Sequence, residues 1–153
     1  MYTDLFKRIK TIKAKLISNN KIKTETEMVD DQHIIKVTII ANKDDLKILD
    51  IKARMINVPY EICLKTAPKI KRLKGAKIQD GFYSKVKEVI GGPEGCMHLV
   101  DLVMDTARGV FQASLKIETR GLKIEEQREV LMKRLKNSCL GYKKLRKDLS
   151  DLK

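Results

Sequence analysis

Near Pro59 the hydrophobic period of the chain changes from two to about 3.6, and no other feature restricts its fold as much. Upstream, residues 7–17 alternate loosely, with Ile9, Thr11, Lys13 and Lys15 against Ile12, Ala14 and Leu16, until Ser18-Asn19-Asn20 breaks the run. Residues 22–29 alternate charged residues with threonine and read as an edge strand. Residues 33–41 are dense in β-branched side chains, with Ile35, Val37 and Ile39 on one face and Ile34, Thr38 and Ile40 on the other. Asn42-Lys43-Asp44-Asp45 has turn chemistry, and residues 46–56 return with Leu49, Ile51, Ala53 and Met55 on one side. Short connections between neighbouring strands predict an antiparallel sheet.

Downstream the spacing is helical. Pro59 suits a first helical turn, Pro68 should break or kink that helix, and Gly75 should end the next piece. Phe82, Val86, Val89 and Ile90 mark a second helix, stopped by Gly91-Gly92-Pro93. Leu99, Leu102, Val103, Ala107, Val110 and Phe111 mark a long one, and Val130, Leu131 and Leu135 lie in a last helical region over 124–136. The expectation is an α+β fold, an N-terminal antiparallel sheet of three to four strands followed by a helical half packed on it. The chain reads as a single domain, 1–153, with a core of about 8–120 and a helical basic C-terminal extension over 121–153.

The formal net charge is +13, but lysine outnumbers arginine about three to one and only seven residues are Phe or Tyr, with no Trp. Sequence-reading nucleic-acid sites use arginine forks and stacking aromatics, so this composition argues against specific nucleic-acid binding. No stretch approaches the roughly 20 apolar residues of a membrane span, and the first residues lack the apolar segment of a secretory signal. Cys63, Cys96 and Cys139 are an odd set without a CxxC pair, which reads as reduced thiols in a cytoplasmic protein.

The chemically pointed stretch is Gly95-Cys96-Met97-His98, which enters the long helix. A helix N-terminus offers free N–H groups and a positive dipole end, which favour a thiolate at Cys96 for nucleophilic attack or metal binding. His98 is two residues on, and Asp101 or Asp105 shares its helix face and could hold the second ring nitrogen. Cys63, just after the last strand, is a second candidate. Asp31 and His33, on one side of an extended strand start, are a third, while Cys139 reads as incidental. No P-loop, GxGxxG, GxSxG or HExxH is present.

With these residues quoted, the chain resembles an uncharacterised bacterial family, a domain of unknown function with a Gly-Cys-Thr-His-Leu signature. The resemblance covers roughly 8–115 and rests on Pro59 to Cys63, Leu73 to Gly75, Gly91 to Leu99 and the upstream Asp31 to His33. Met97 departs from it, standing where that signature has threonine. The resemblance implies importance for Cys63, Cys96 and His98 without assigning them an activity. In layout, the chain is also similar to iron–sulfur scaffold proteins, which implies a zinc or iron–sulfur site held by Cys63, Cys96 and His98 with an acidic residue. Two rival readings stand beside the metal site. One is a cysteine-nucleophile enzyme with Cys96 as nucleophile, His98 as base and Asp101 as orienter; the other is a non-catalytic basic adaptor for an acidic partner or nucleic acid.

Overall fold

A computed structural model describes residues 3–144, which divide into two compact units, one up to Ser114 and one from Leu115. The first opens with four antiparallel strands, β1 Ile9–Ser18, β2 Lys21–Val29, β3 Ile34–Asn42 and β4 Ile48–Asn57, ordered β1-β2-β3-β4. The sheet and its reading frame are as the period-two pattern predicts. Strand position is not: β2 is interior, and the edges are β1 and β4. The alternation of charge with threonine in β2 looks like an edge because its buried face is built from small polar residues, Thr24 and Thr26, between Ile22 and Met28.

The buried face of the sheet comprises those four residues with Ile35, Val37, Ile39 and Ala41 of β3. Register slips between Ile40 and Ala41, so Ala41 pairs with Ile48 while Ile40 pairs with Asp50. This bulge takes Leu49 out of line with Ile51, Ala53 and Met55, and Ile48 is buried in its place. The other face carries Lys13, Lys23, Glu25, Glu27, Lys36, Lys52 and Arg54.

After β4, the segment Glu61–Leu73 winds as a 3-10 helix with Pro68 inside it, burying Thr66, Ile70 and Leu73. The expected break at Pro68 does not occur. Bonds from i to i+3, such as Cys63 N to the Tyr60 carbonyl at 3.0 Å, close each turn without the i–4 partner that proline obstructs. Helix α1, Phe82–Ile90, buries the four residues its spacing singles out. Helix α2, Met97–Glu118, lays Leu99, Leu102, Val103, Ala107 and Val110 on the sheet. It approaches β1 and β2 closely at Gly109, where an added Cβ would lie 2.7 Å from Thr24 Cγ2 and 2.8 Å from Ile12 Cγ2. One turn earlier, Thr106 donates to the Leu102 carbonyl at 2.6 Å and accepts from Thr26 Oγ1 at 2.8 Å, so two buried hydroxyls satisfy each other across the interface.

The second unit takes in the end of α2, then α3, Ile124–Arg134, and α4, Leu140–Lys144. Helix α3 buries no side chain completely; Val130, Leu131 and Leu135 are half-buried on its apolar side. Of the basic run 143–147, residues 145–147 lie outside the described residues. Among the described residues, no helix is long and apolar enough to cross a membrane.

Candidate functional site

At one end of the sheet the β2–β3 hairpin turns through Asp30, closed by a bond from Asp30 N to the His33 carbonyl at 2.9 Å. The Asp30 side chain organises the turn. Its Oδ1 accepts from Gln32 N at 3.0 Å, His33 N at 2.8 Å and His33 Nδ1 at 2.9 Å. Its Oδ2 accepts from Arg8, with Nε at 2.8 Å and a terminal guanidinium nitrogen at 2.6 Å. The carboxylate is only 2 % exposed. Burial opposes its ionisation, yet the donors from Gln32, Arg8 and His33 outweigh that and hold the Asp30 carboxyl well below the usual carboxylate range.

The residue that binds His33 is therefore Asp30. Asp31 is an exposed loop residue of the turn, because the chain reverses here instead of running extended, and the expected pairing of Asp31 with His33 is corrected on that point.

His98, in the first turn of α2, meets this turn from the helical side. Its ring lies against that of His33, with centroids 4.3 Å apart and planes at 55°, so the chain's two histidines are neighbours. Arg8 reaches His98 Nε2 at 3.2 Å. A guanidinium can only donate, so Nε2 accepts and the neutral ring carries its proton on Nδ1. Burial first, then the positive surroundings of His33 and Arg8, pull the His98 ring below the usual imidazole range, with Asp30 and Asp101 acting against them. Asp105 does not serve the ring: it binds Lys10 at 2.9 Å and Arg108 at 3.0 Å. Asp101 is exposed and acts on His98 through charge, while Arg8 holds the position expected of the orienting carboxylate.

A depressed histidine pKa favours the neutral ring in the fold. Its stabilisation is complete above the unfolded value of about 6.5 and declines as pH falls below it, because the unfolded chain then binds a proton that the folded chain resists. Urea midpoints measured from pH 7.5 to 5 should fall in the native chain. In His98→Gln the slope over that range should flatten.

The glycine-rich loop between α1 and α2 sets the helix entry. Gly95 N donates to the Gly92 carbonyl at 3.0 Å, and Cys96 N donates to the Ile90 carbonyl at 2.8 Å. Lys69 Nζ donates to the Glu94 carbonyl. Cys96 is half-buried against the main core, and its carbonyl accepts the first helical bond, from Val100 N at 3.1 Å. Met97 points to solvent, 77 % exposed. Cys63 is half-buried on the 3-10 helix, its carbonyl accepting from Thr66 Oγ1 at 2.6 Å. Among the described residues, no three His, Cys, Asp or Glu side chains converge where a metal ion could be held, so Cys63, Cys96 and His98 are not assembled as a ligand set.

Cys139 is the exposed thiol. The backbone N–H of Tyr142, helped by that of Gly141 and by Ser138, lowers its pKa from the ordinary thiol range. Of the three cysteines it should alkylate fastest with iodoacetamide at pH 7, because exposure and thiolate fraction act together. Peptide mapping after a short pulse reads the order; labelling of Cys96 or Cys63 ahead of Cys139 would contradict it.

An open cleft of about 490 Å³ is lined by Lys10, Tyr83, Asp101, Met104, Asp105 and Arg108. Asp101 and Asp105 continue the helix face of His98, and Lys10 follows Arg8 by two residues. Arg8 and Asp30 carry no motif that sequence reasoning could have used. The one available signal was that the chain has only two histidines.

The family described as "Protein of unknown function (DUF2889)" has a model that matches residues 7–112, more than half of the chain, and the chain belongs to that family. The match includes Arg8, Asp30, His33, Cys63, Cys96 and His98. No curated protein and no solved structure matches the chain.

Proposed function

We propose that this family member carries an acid–base catalytic site in its first unit, with His33 as the group that moves the proton and Asp30 as the carboxylate that orients it. The observation that carries the reading is the contact of the two histidines over a buried aspartate already bound by an arginine. Asp30 fixes the proton on His33 Nδ1 and leaves Nε2 to take a proton from a water or hydroxyl nucleophile and return it to the leaving group. Arg8 and the Nδ1–H of neutral His98 supply a cation and a donor for the negative charge that develops in such a transfer. A small polar substrate would be taken by the cleft that Lys10, Tyr83 and Arg108 line, supported by Asp101 of its lining standing one helical turn after His98.

The zinc or iron–sulfur reading gains no support, because among the described residues no three His, Cys, Asp or Glu side chains are grouped where a metal ion could be held. Cys96, two residues from His98, is the nucleophile in the competing reading, and substitution separates the two. The full chain would be screened against phosphomonoesters, carboxylic esters and thioesters. With a substrate in hand, His33→Gln should lower kcat by about 100-fold or more with KM little changed, while Cys96→Ser retains activity. Activity that survives His33→Gln, or is lost only in Cys96→Ser, would overturn the proposal. Imidazole ¹⁵N spectra at pH 8 give a check that needs no substrate: His33 must carry its proton on Nδ1.

A further inference from the structure

The sheet has an open edge at β1. Strand β1 pairs with β2 along one side only, and all ten of its residues are exposed. Half of its backbone N–H and C=O groups therefore face away from the sheet, as in any edge strand. Edge strands are usually kept short or twisted away, and this one is as long as any in the sheet. Its two rows of side chains differ. On the helix-facing side Ile12 and Leu16 flank Ala14, and each remains 47 % exposed although Ile12 touches α2 at Gly109. On the outer side stand Lys13 and Lys15, for which, among the described residues, no ion pair forms within 4 Å.

We infer that β1 accepts an extended acidic segment of another protein as a fifth strand, with aliphatic residues of that segment against Ile12 and Leu16 and carboxylates against Lys13 and Lys15. Strand addition takes its affinity from main-chain bonds and its specificity from alternate side chains, and β1 offers both. Charge selects the occupant. In the two registers nearest full overlap, two copies of β1 paired antiparallel with their apolar rows on the same side oppose Lys13 to Lys13 or Lys13 to Lys15, and directly opposed like charges are destabilising. The same lysines that keep the edge from pairing with itself attract an acidic strand, so one feature excludes the wrong partner and recruits the right one.

The probe is a fluorescein-labelled ten-residue peptide alternating Glu with Val and Ile. Controls are a scrambled peptide of equal composition and a version with Lys in place of Glu. The full chain should bind the alternating acidic peptide with an affinity that falls as salt rises, and should bind the scrambled peptide about tenfold or more weakly. Amide exchange should slow along residues 9–18 on binding. In a Lys13→Gln, Lys15→Glu variant, affinity for the acidic peptide should drop about tenfold while the Lys peptide gains. Glutamine is chosen at 13 because that residue faces Glu25 on β2, and glutamate at 15 because it faces Lys23, so the fold is retained. Equal binding of the scrambled peptide, slowed exchange outside β1, an unchanged affinity in the variant, or a dimer whose β1 amides are already protected would each overturn the inference.

Discussion

Asp30→Ala is expected to destabilise the first unit by about 4 kcal/mol, the range measured when one partner of a buried ion pair is removed. The carboxylate, itself 2 % exposed, accepts from two backbone N–H groups, from His33 and from Arg8, and alanine removes the acceptor that all of these donors share. For a unit of this size the melting temperature should fall by about 15 °C. Asp30→Asn keeps an oxygen for the turn but sets an amide against the guanidinium, and should cost about half as much. The acid limb gives an independent sign. Because the folded carboxyl is held below its ordinary range, its contribution is complete above about pH 4 and disappears as pH falls further, so the native chain should lose stability there and both variants should lose less. Urea unfolding at pH 7 and pH 3.5 measures both effects. A cost below 1 kcal/mol at pH 7 would mean that the cluster is incidental to the fold.

Gly95→Ala should cost about 3 kcal/mol, at the upper end of ordinary overpacking. A Cβ at this position would lie 2.1 Å from the Ile90 carbonyl oxygen and 2.4 Å from that of Gly91. Both obstacles are backbone, so no rotamer change relieves them, and the loop itself must move. The loop carries the bond from Cys96 N to Ile90 that starts α2, hence the placement of His98 against His33 should change with it. Gly92→Ala is the comparison: its Cβ meets nothing within 4 Å, and its cost comes from a φ of 71°, about 1 kcal/mol. Thermal melts of the two variants, with the histidine ring shifts as a local probe, should show the larger loss and the larger shift in Gly95→Ala. Equal behaviour of the two would refute the account.

The sheet and the helices α1 and α2 were legible because each buries one face, and burial writes its period into the sequence. Strand order was not legible, since alternation reports which face of a strand is buried and nothing about its neighbours. The threonines of β2 made an interior strand look peripheral; only the close approach of Gly109 and the hydroxyl of Thr106 explain why small polar residues suit that position. At the site, Gly95 and His98 stood out because they cluster in sequence. Arg8 and Asp30 did not, because their partners lie on other elements, and a contact between residues 8 and 98 leaves no local pattern. The difference between Asp30 and Asp31 is one residue, and it depends on the chain turning back at that point.

Each strand of the sheet lies beside its predecessor in the chain, so the sheet can assemble one hairpin at a time while little loop-closure entropy is lost at each addition. The bonds from Thr106 to Thr26 and from Arg8 to His98 span 80 and 90 residues and await the arrival of α2. The sheet, with Asp30 and His33 in their turn, is built from residues 9–57, whereas His98 lies 41 residues beyond its last strand. The acid–base site proposed above would be complete only with this last long-range closure, which would tie the onset of any activity to the completion of folding.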